Sequence, residues 1–377
     1  MSLPSLWEQE TYYAHSDVII IGGGLMGLWT AIELLQKAPS LSVTIVERHS
    51  SPLGASTRNA GFACFGSLTE LLSDESKMGT DAMLRIVEMR YKGIQKIKAY
   101  LSEDAIALDP CGGYEPLRNY AGAGLLDSQI HYLNGLLKPI TGTEHSFLNA
   151  TNQLAAIGLK DFDQLIFNPL EAGIHSGKLV NGLTRIALQK GVRILNGINV
   201  SGWVETGNGI ELNTNHPVSL RANQLVVCTN GFTGTLLPEL NIEPARGQII
   251  LTAPIAGLKT KGTFHFDEGF YYWRNIGNQI LLGGARNSDF NSERTTGLEG
   301  SDFIRDILLR FLQQHLDTGQ PLEIVQSWSG IMGFTPNKHP LCQSVSANVI
   351  AAIACNGMGV ALTPVIAETV TEMLVSG

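Results

Sequence analysis

The chain has 377 residues, with 26 Lys plus Arg against 34 Asp plus Glu, a formal net charge of −8 at pH 7. Its hydrophobic fraction of 44% and charged fraction of 16% are those of an ordinary globular protein able to bury a large core. The length suits two domains, or one with an elaborate insertion, and the negative charge argues against nucleic acid or an anionic membrane surface as partner. The first 17 residues carry acids, tyrosines and a proline but no basic and apolar regions of a signal peptide, and Met1-Ser2-Leu3 reads in part as a scar of expression.

Residues 18–21 are a β-branched run that predicts a buried parallel strand. Gly22-x-Gly24-x-x-Gly27 follows, then helix formers to Leu35. Strand, glycines and helix in that order are what a dinucleotide site requires. Gly22 permits the tight turn, Gly24 lets backbone approach a pyrophosphate, and Gly27 with Ala31 lets the helix pack closely on the sheet. The helix start, Leu25 and Met26 included, offers N–H groups and partial positive charge to phosphates. A second strand over 42–46 ends at Glu47, where the fingerprint expects an acid for ribose hydroxyls, with Arg48 beside it. These features do not choose between FAD and NAD. The run 18–32 resembles a membrane span in hydropathy only, being too short and glycine-broken.

Further along, a polar loop over 48–66 contains Ser56, Thr57, Arg58 and Asn59, in a position suited to ligand contacts. Apolar spacing predicts helix over most of 69–102 and again over 125–137, ending near Pro139, with a strand at 112–117 between them. Strands are expected within 154–167, and a helix over 179–189 that Lys190-Gly191 stops. Strands follow at 192–195 and 198–204, a hairpin at 210–212 and 218–220, and a buried strand at 224–228 leading into Thr229-Asn-Gly-Phe. Strands at 249–252, 269–273 and 279–282, a helix at 303–315 and a strand at 324–331 follow in turn. The end is a strand over 348–354, Asn356-Gly-Met-Gly359, and a helix to Leu374 with Pro364 in its first turn.

The five cysteines, Cys64, Cys111, Cys228, Cys342 and Cys355, are scattered without CxxC spacing, as reduced thiols of a cytoplasmic protein would be. No metal site is expected: His265-Phe-Asp267 alternates as a strand does, and no histidine pair has i, i+4 spacing beside a Glu.

Taken together, the fingerprint, Gly54-Ala-Ser-Thr-Arg-Asn-Ala-Gly61, Val226-Val-Cys-Thr-Asn-Gly231, Arg246-Gly-Gln248, Leu281-Leu-Gly-Gly284, Trp328-Ser-Gly-Ile-Met-Gly-Phe-Thr-Pro336 and Asn356-Gly-Met-Gly359 resemble the FAD-dependent amine and amino-acid oxidoreductases. That family includes D-amino-acid oxidase, glycine oxidase and sarcosine oxidase, and the resemblance spans nearly the whole chain. The tyrosine-rich start and Tyr271-Tyr-Trp-Arg274 are similar to members acting on polyamine-derived amines such as γ-glutamylputrescine. The resemblance implies an α/β fold: a discontinuous Rossmann-like FAD-binding domain (1–79, 173–237 and 325–377) and a second, β-rich substrate domain of α+β type (80–172 and 238–324).

It also implies noncovalent FAD. Glu47 would bind the adenosine ribose, and backbone near Val200 would meet adenine unless Val200 is plain sheet core. Ser56, Thr57, Asn59, Ala60 and Gly61 would pass under the pyrophosphate and flavin. Thr229, Gly231, Gly330 and Met332 would border the cofactor. Gly357, Met358, Gly359 and Val360 would bring a helix N-terminus to the flavin pyrimidine ring. The implied reaction is hydride transfer from the amine-bearing carbon to flavin N5, giving an imine that hydrolyses, with oxygen or another acceptor reoxidising the flavin. Four family positions depart from pattern: Gly330 stands where sarcosine oxidase attaches flavin through Cys, Met332 where many amino-acid oxidases carry a carboxylate-binding Arg, and Ala361 and Leu281 where sarcosine oxidase has lysines. Arg274 is therefore the leading substitute cation, with Tyr271, Tyr272 and Arg58 as further substrate-side candidates and Arg286 weaker. Two other readings compete: an NAD-dependent dehydrogenase, which would need a second Rossmann half soon after Glu47, and a flavin-binding protein without turnover.

Overall fold

The computed structural model describes residues 4–120, 123–207, 209–353 and 355–376; Met1–Leu3 and Ala354, named above, lie outside them. The chain divides into two compact units, one of residues 1–57, 176–245 and 331–377, the other of 58–175 and 246–330.

The first unit is built on a sheet whose central strand is Ser16–Ile21, flanked in parallel by Val43–Glu47 and by Leu220–Val227. Arg193–Asn196 extends it on one side and Val349–Ile353 on the other, both parallel, with Leu341–Ser344 antiparallel at the edge. These strands are buried on both faces, which is why they read as unbroken runs of Val and Ile. Helix Leu25–Lys37 packs against both Ser176–Gln189 and Gly359–Ser376. The last of these is long and apolar enough to cross a membrane by length and composition, but its apolar side chains Leu362, Ile366, Val370 and Leu374 are buried in this unit.

Three expectations change here. Residues 210–212 pair with 220–222 and not with 218–220, in the register Leu212↔Leu220, and Leu220–Val227 is one continuous strand, so the hairpin arm and the buried strand are the same element. Pro364 sits in the second turn of Gly359–Ser376, not the first, where it deprives the Val360 carbonyl of its usual helical donor. The segment 58–79 belongs to the second unit, because Phe62–Ala63 pairs with Ala172–Gly173 and the Ile174 N–H donates to the Gly61 carbonyl at 2.8 Å.

The second unit carries an eight-stranded sheet in which Glu243–Thr252, Gln279–Gly284, Tyr271–Ile276 and Thr263–Phe266 are successive antiparallel neighbours. Gly113–Leu117 continues it in parallel, then Gln164–Asn168 antiparallel. Helix Asp302–His315 covers one face, opened by Ser301, whose hydroxyl accepts from the Ile304 N–H. Its Leu308, Phe311 and Leu312 meet Phe264, Trp273, Ile280 and Leu282 in the main core of this unit. Helices Leu68–Met78 and Thr80–Tyr100 replace the single helix expected, broken where Gly79 takes φ +84°. Of 154–167 only Gln164–Asn168 is strand, since Gly158 and Asp161 turn the chain at positive φ. Helix Ala123–Thr141 runs past Pro139, which falls in its last turn.

Alternation along Tyr271–Ile276 assigns its side chains. Tyr271 stacks on Phe311 at 4.5 Å between centroids and Trp273 on Phe264 at 5.0 Å, both on the helix-covered face. Tyr272 and Arg274 point the other way. Arg274 is only 7% exposed, and its Nη1 donates to the carbonyls of Gly61 (2.6 Å) and Ile174 (3.1 Å). A Cβ at Gly173 would lie 2.2 Å from its Nη2, so a glycine is needed there. The guanidinium thus ties the loop after the first unit to the 172–174 segment. Arg274→Met should lower the unfolding free energy by about 2–3 kcal/mol, because buried carbonyls lose a charged donor; urea denaturation of the FAD-loaded protein measures it, and an unchanged midpoint would refute the clasp.

Candidate functional site

In the first unit the glycine turn is shaped by close backbone approaches. Gly22 takes φ +114°, and a Cβ there would lie 2.6 Å from the Cys228 carbonyl oxygen. A Cβ on Gly27 would lie 2.0 Å from the Gly22 carbonyl oxygen, so only glycine lets helix Leu25–Lys37 start against the end of the strand. Gly24 caps that helix without a side chain. The Ser56 hydroxyl fills the cap instead, accepting from the Leu25 N–H at 2.9 Å. Thr57, beside it, donates to the Pro52 carbonyl at 2.7 Å. Glu47 is buried at the end of its strand and accepts from the Gly23 N–H (2.9 Å) and the His49 N–H (3.1 Å). A carboxylate offers about four lone-pair sites, so two remain for a diol.

The remaining first-unit positions gather around a second turn. Asn230 at φ +47° donates to the Ile331 carbonyl at 3.4 Å. A Cβ on Gly231 would lie 2.6 Å from the Met332 carbonyl oxygen. Thr229 bonds Thr233 through its hydroxyl at 2.9 Å. Asn356 and Gly357 both take positive φ, and Asn356 is held to the same strand by its N–H to the Gly333 carbonyl and by the Thr335 N–H to its side chain. Met358 closes the turn onto the Cys355 carbonyl, and the 18-residue helix begins at Gly359 and Val360. Two backbone turns therefore end in helix N-termini, at Leu25 and at Gly359. A glycine-lined turn, a helix N-terminus and a strand-end acid fit an anionic dinucleotide. Arg48 lies over the Phe232 ring with Cζ 3.8 Å from its centroid. Val200 is 8% exposed and its side chain is part of the sheet core, so only its backbone is available to an adenine.

The second unit offers an aromatic wall on the sheet face opposite helix Asp302–His315. Ala60, Ile249 and Leu281 are buried there, and Phe62, Leu251, Tyr272 and Trp328 pack on them partly exposed. Tyr272 lies over Gly283, where a Cβ would come within 2.3 Å of its ring, and meets Phe62 edge-on at 6.2 Å. Trp328 donates its indole N–H to the Arg58 carbonyl at 3.2 Å, and Arg58 donates to the Ser329 carbonyl at 2.8 Å. The Asn59 side chain accepts from the Gly61 N–H at 2.9 Å. Of the substrate-side residues expected, Tyr272 is on this wall, whereas Tyr271 is in the core behind it. Arg274 and Arg58 both donate to backbone carbonyls, so the anchoring of a substrate carboxylate by Arg274 is not carried forward. Arg286 lies over the rings of Phe270 and Phe290, 5.4 and 5.2 Å from their centroids.

A cluster that the sequence did not suggest lies beside this wall. Cys64, Glu171 and His265 are all buried, and His265 Nε2 is 2.9 Å from Glu171 Oε2. Their long separation in sequence hides them; each follows or lies on a strand that only the folded sheet aligns. All five cysteines are free thiols.

Comparison with known proteins agrees with these features. The profile of the FAD dependent oxidoreductase family matches residues 17–373, and the chain belongs to that family. It is an FAD-dependent oxidoreductase with the family's Rossmann-like and substrate-domain architecture, which removes the NAD-dependent reading. Among curated relatives, a probable oxidoreductase OrdL of Haemophilus influenzae is 23% identical, over 97% of this chain and 84% of that protein. An L-2-hydroxyglutarate dehydrogenase of Escherichia coli is 24% identical, over 80% of this chain and 73% of its own. The fold is that of L-proline dehydrogenase from P. horikoshii (TM-score 0.78, 17% identity, 96% and 94% of the two chains) and of glycine oxidase from Geobacillus kaustophilus (TM-score 0.72, 20% identity, 96% and 95%).

Two outcomes follow from this geometry. Glu47→Gln keeps one acceptor oxygen where the carboxylate has two, so it should weaken FAD binding by roughly 10- to 100-fold, from about 1.5–3 kcal/mol for a charged hydrogen bond. Titration of the apoprotein with FAD, followed by fluorescence, reads this, and wild-type affinity would exclude Glu47 from the site. Burial pushes the Tyr272 phenol up to about 12. A folded pKa above the unfolded value, near 10, means that this tyrosine's contribution to stability is intact below about pH 10 and is lost as pH rises through its folded pKa. The alkaline fall in stability should therefore be shallower in Tyr272→Phe than in wild type, measured by denaturation between those limits; superimposable curves would contradict it.

Proposed function

We propose that this enzyme oxidises the C–N bond of an amine, or of an amino acid whose carboxylate is distant from the reacting carbon. The observation carrying the reading is the wall of the second unit. It is aromatic and apolar, and the two arginines nearest in sequence to it, Arg58 and Arg274, donate to backbone carbonyls. A buried carboxylate without a cation is costly, whereas an alkyl chain and a neutral amine suit Phe62, Leu251, Tyr272 and Trp328.

The first unit would hold FAD noncovalently: Gly22, Gly24 and Gly27 with Leu25 and Met26 at the pyrophosphate, Glu47 at the ribose, Ser56 and Thr57 alongside, and Gly357 to Val360 at the pyrimidine ring. The chemistry that bound FAD would supply is hydride acceptance from the amine-bearing carbon. The protein's part is orientation and field. The helix that begins at Gly359 presents its positive end to negative charge developing on reduction. The Tyr272 hydroxyl, kept protonated by its raised pKa, can donate to or accept from the amine nitrogen. The apolar wall would keep water from the substrate carbon during its oxidation; the nitrogen's proton would pass to bulk solvent, and water would then add to the substrate imine, releasing carbonyl and amine products.

The test is anaerobic bleaching of the bound flavin by a panel of polyamine-type amines, N-methyl amino acids, small α-amino acids and 2-hydroxy acids, the last because of the hydroxyglutarate dehydrogenase relative. Amines should bleach fastest, and kcat/KM for them should fall at least about tenfold in Tyr272→Ala. Fastest bleaching by a small α-amino acid or a hydroxy acid would reject the amine reading. Acid precipitation should leave all the flavin in the supernatant; flavin in the pellet would reject noncovalent attachment.

A further inference from the structure

We infer that Cys64, Glu171 and His265 form a site for a single zinc-type divalent cation within the second unit. One donor atom from each residue lies within 4.8 Å of the other two, and the residues are 5%, 2% and 8% exposed. In a tetrahedral zinc site, bonds of about 2.0–2.3 Å put donors roughly 3–4 Å apart, which small side-chain shifts reach from here. Thiolate, carboxylate and neutral imidazole together carry two negative charges, matching a divalent ion, and the sulfur–nitrogen–oxygen set favours zinc over magnesium or calcium.

The surroundings supply a hydrogen-bond partner for Glu171 and a small neighbouring cavity. Asn168 Nδ2 is 3.5 Å from Glu171 Oε1, and a Cβ at Gly113 would lie 2.0 Å from Glu171 Oε2, so glycine there admits the carboxylate. Beside Glu171 and His265 is a cavity of about 10 Å³, also lined by Ser67, Glu115 and Asn168. That is close to the least room one water needs. The ion would join three segments distant in sequence. His265 pairs with Tyr272 across the strands and Phe62 meets the His265 ring edge-on at 5.1 Å, so the ion would brace the aromatic wall from its side. This inference is independent of the substrate proposed above.

Because the site is buried, the ion would enter as the chain folds. Cells producing the protein are grown in zinc-supplemented medium, and in parallel in zinc-poor medium containing Co²⁺. The FAD-loaded protein should retain about one metal ion per chain. The cobalt form should show a thiolate-to-cobalt charge-transfer band in the difference spectrum. Cys64→Ser should abolish the band, and Cys111→Ser should keep it. Metal-free wild-type protein, or a band that survives in Cys64→Ser, would overturn the inference and leave a hydrogen-bonded triad. If Cys64→Ser fails to fold, wild type decides: in urea below its unfolding midpoint, Zn²⁺ should slow maleimide labelling of the Cys64 peptide at least about tenfold relative to chelator. Equal labelling rates would overturn it.

Discussion

The tightest glycine contact among the described residues of the first unit is between Gly22 and Gly27. The helix Leu25–Lys37 starts so near the end of its strand that a single Cβ on Gly27 would fall 2.0 Å from a carbonyl oxygen. Everything needed for a dinucleotide follows from that approach. It fixes the direction of the helix N-terminus, and hence of the partial positive charge that a pyrophosphate would meet. It brings the Gly23 N–H to the Glu47 carboxylate, locking the adjacent strand end to the turn. It leaves the cap without a side chain of its own, so Ser56 supplies the hydroxyl from a loop thirty-one positions away.

The second unit is organised by a different rule, the two-residue period of a strand. Tyr271 and Trp273 face the helix-covered core, while Tyr272 and Arg274 face the opposite side. A shift of one residue would bury Tyr272 and Arg274 against Phe311 and turn the core aromatics outward. Pairings at Tyr271↔Gly284 and Tyr272↔Gly283 oppose such a shift, since both glycines are sites where a side chain would collide. The two units thus specify themselves through glycines, one by helix approach and the other by strand register.

This difference explains what was legible in the sequence. The fingerprint is local: strand, turn, helix and acid lie within thirty residues or so, and each residue type has one physical reason to be there. The elements around it were correspondingly readable. The substrate side was not, because its meaning is set by partners far along the chain. Tyr271 and Tyr272 are adjacent and chemically equal, and only the sheet separates core from wall. Arg274 reads as a substrate-side cation until its guanidinium is seen to donate to the Gly61 and Ile174 carbonyls. The assignment of 58–79 to the second unit depends on pairing of Phe62–Ala63 with Ala172–Gly173, which no local pattern announces.

The allocation of arginines has a consequence for specificity. In a protein interior a guanidinium is stabilised only by acceptors that replace its water, and backbone carbonyls serve as well as a ligand does. Once Arg274 holds Gly61 and Ile174, recruiting it to a substrate carboxylate would expose those two carbonyls and loosen the loop that carries Asn59 to Phe62. The same loop supplies Ala60 and Phe62 to the wall. Binding a carboxylate through Arg274 would therefore disturb the surface that packs against the rest of the substrate. An amine without a nearby carboxylate makes no such demand, which is why we propose it as the substrate class.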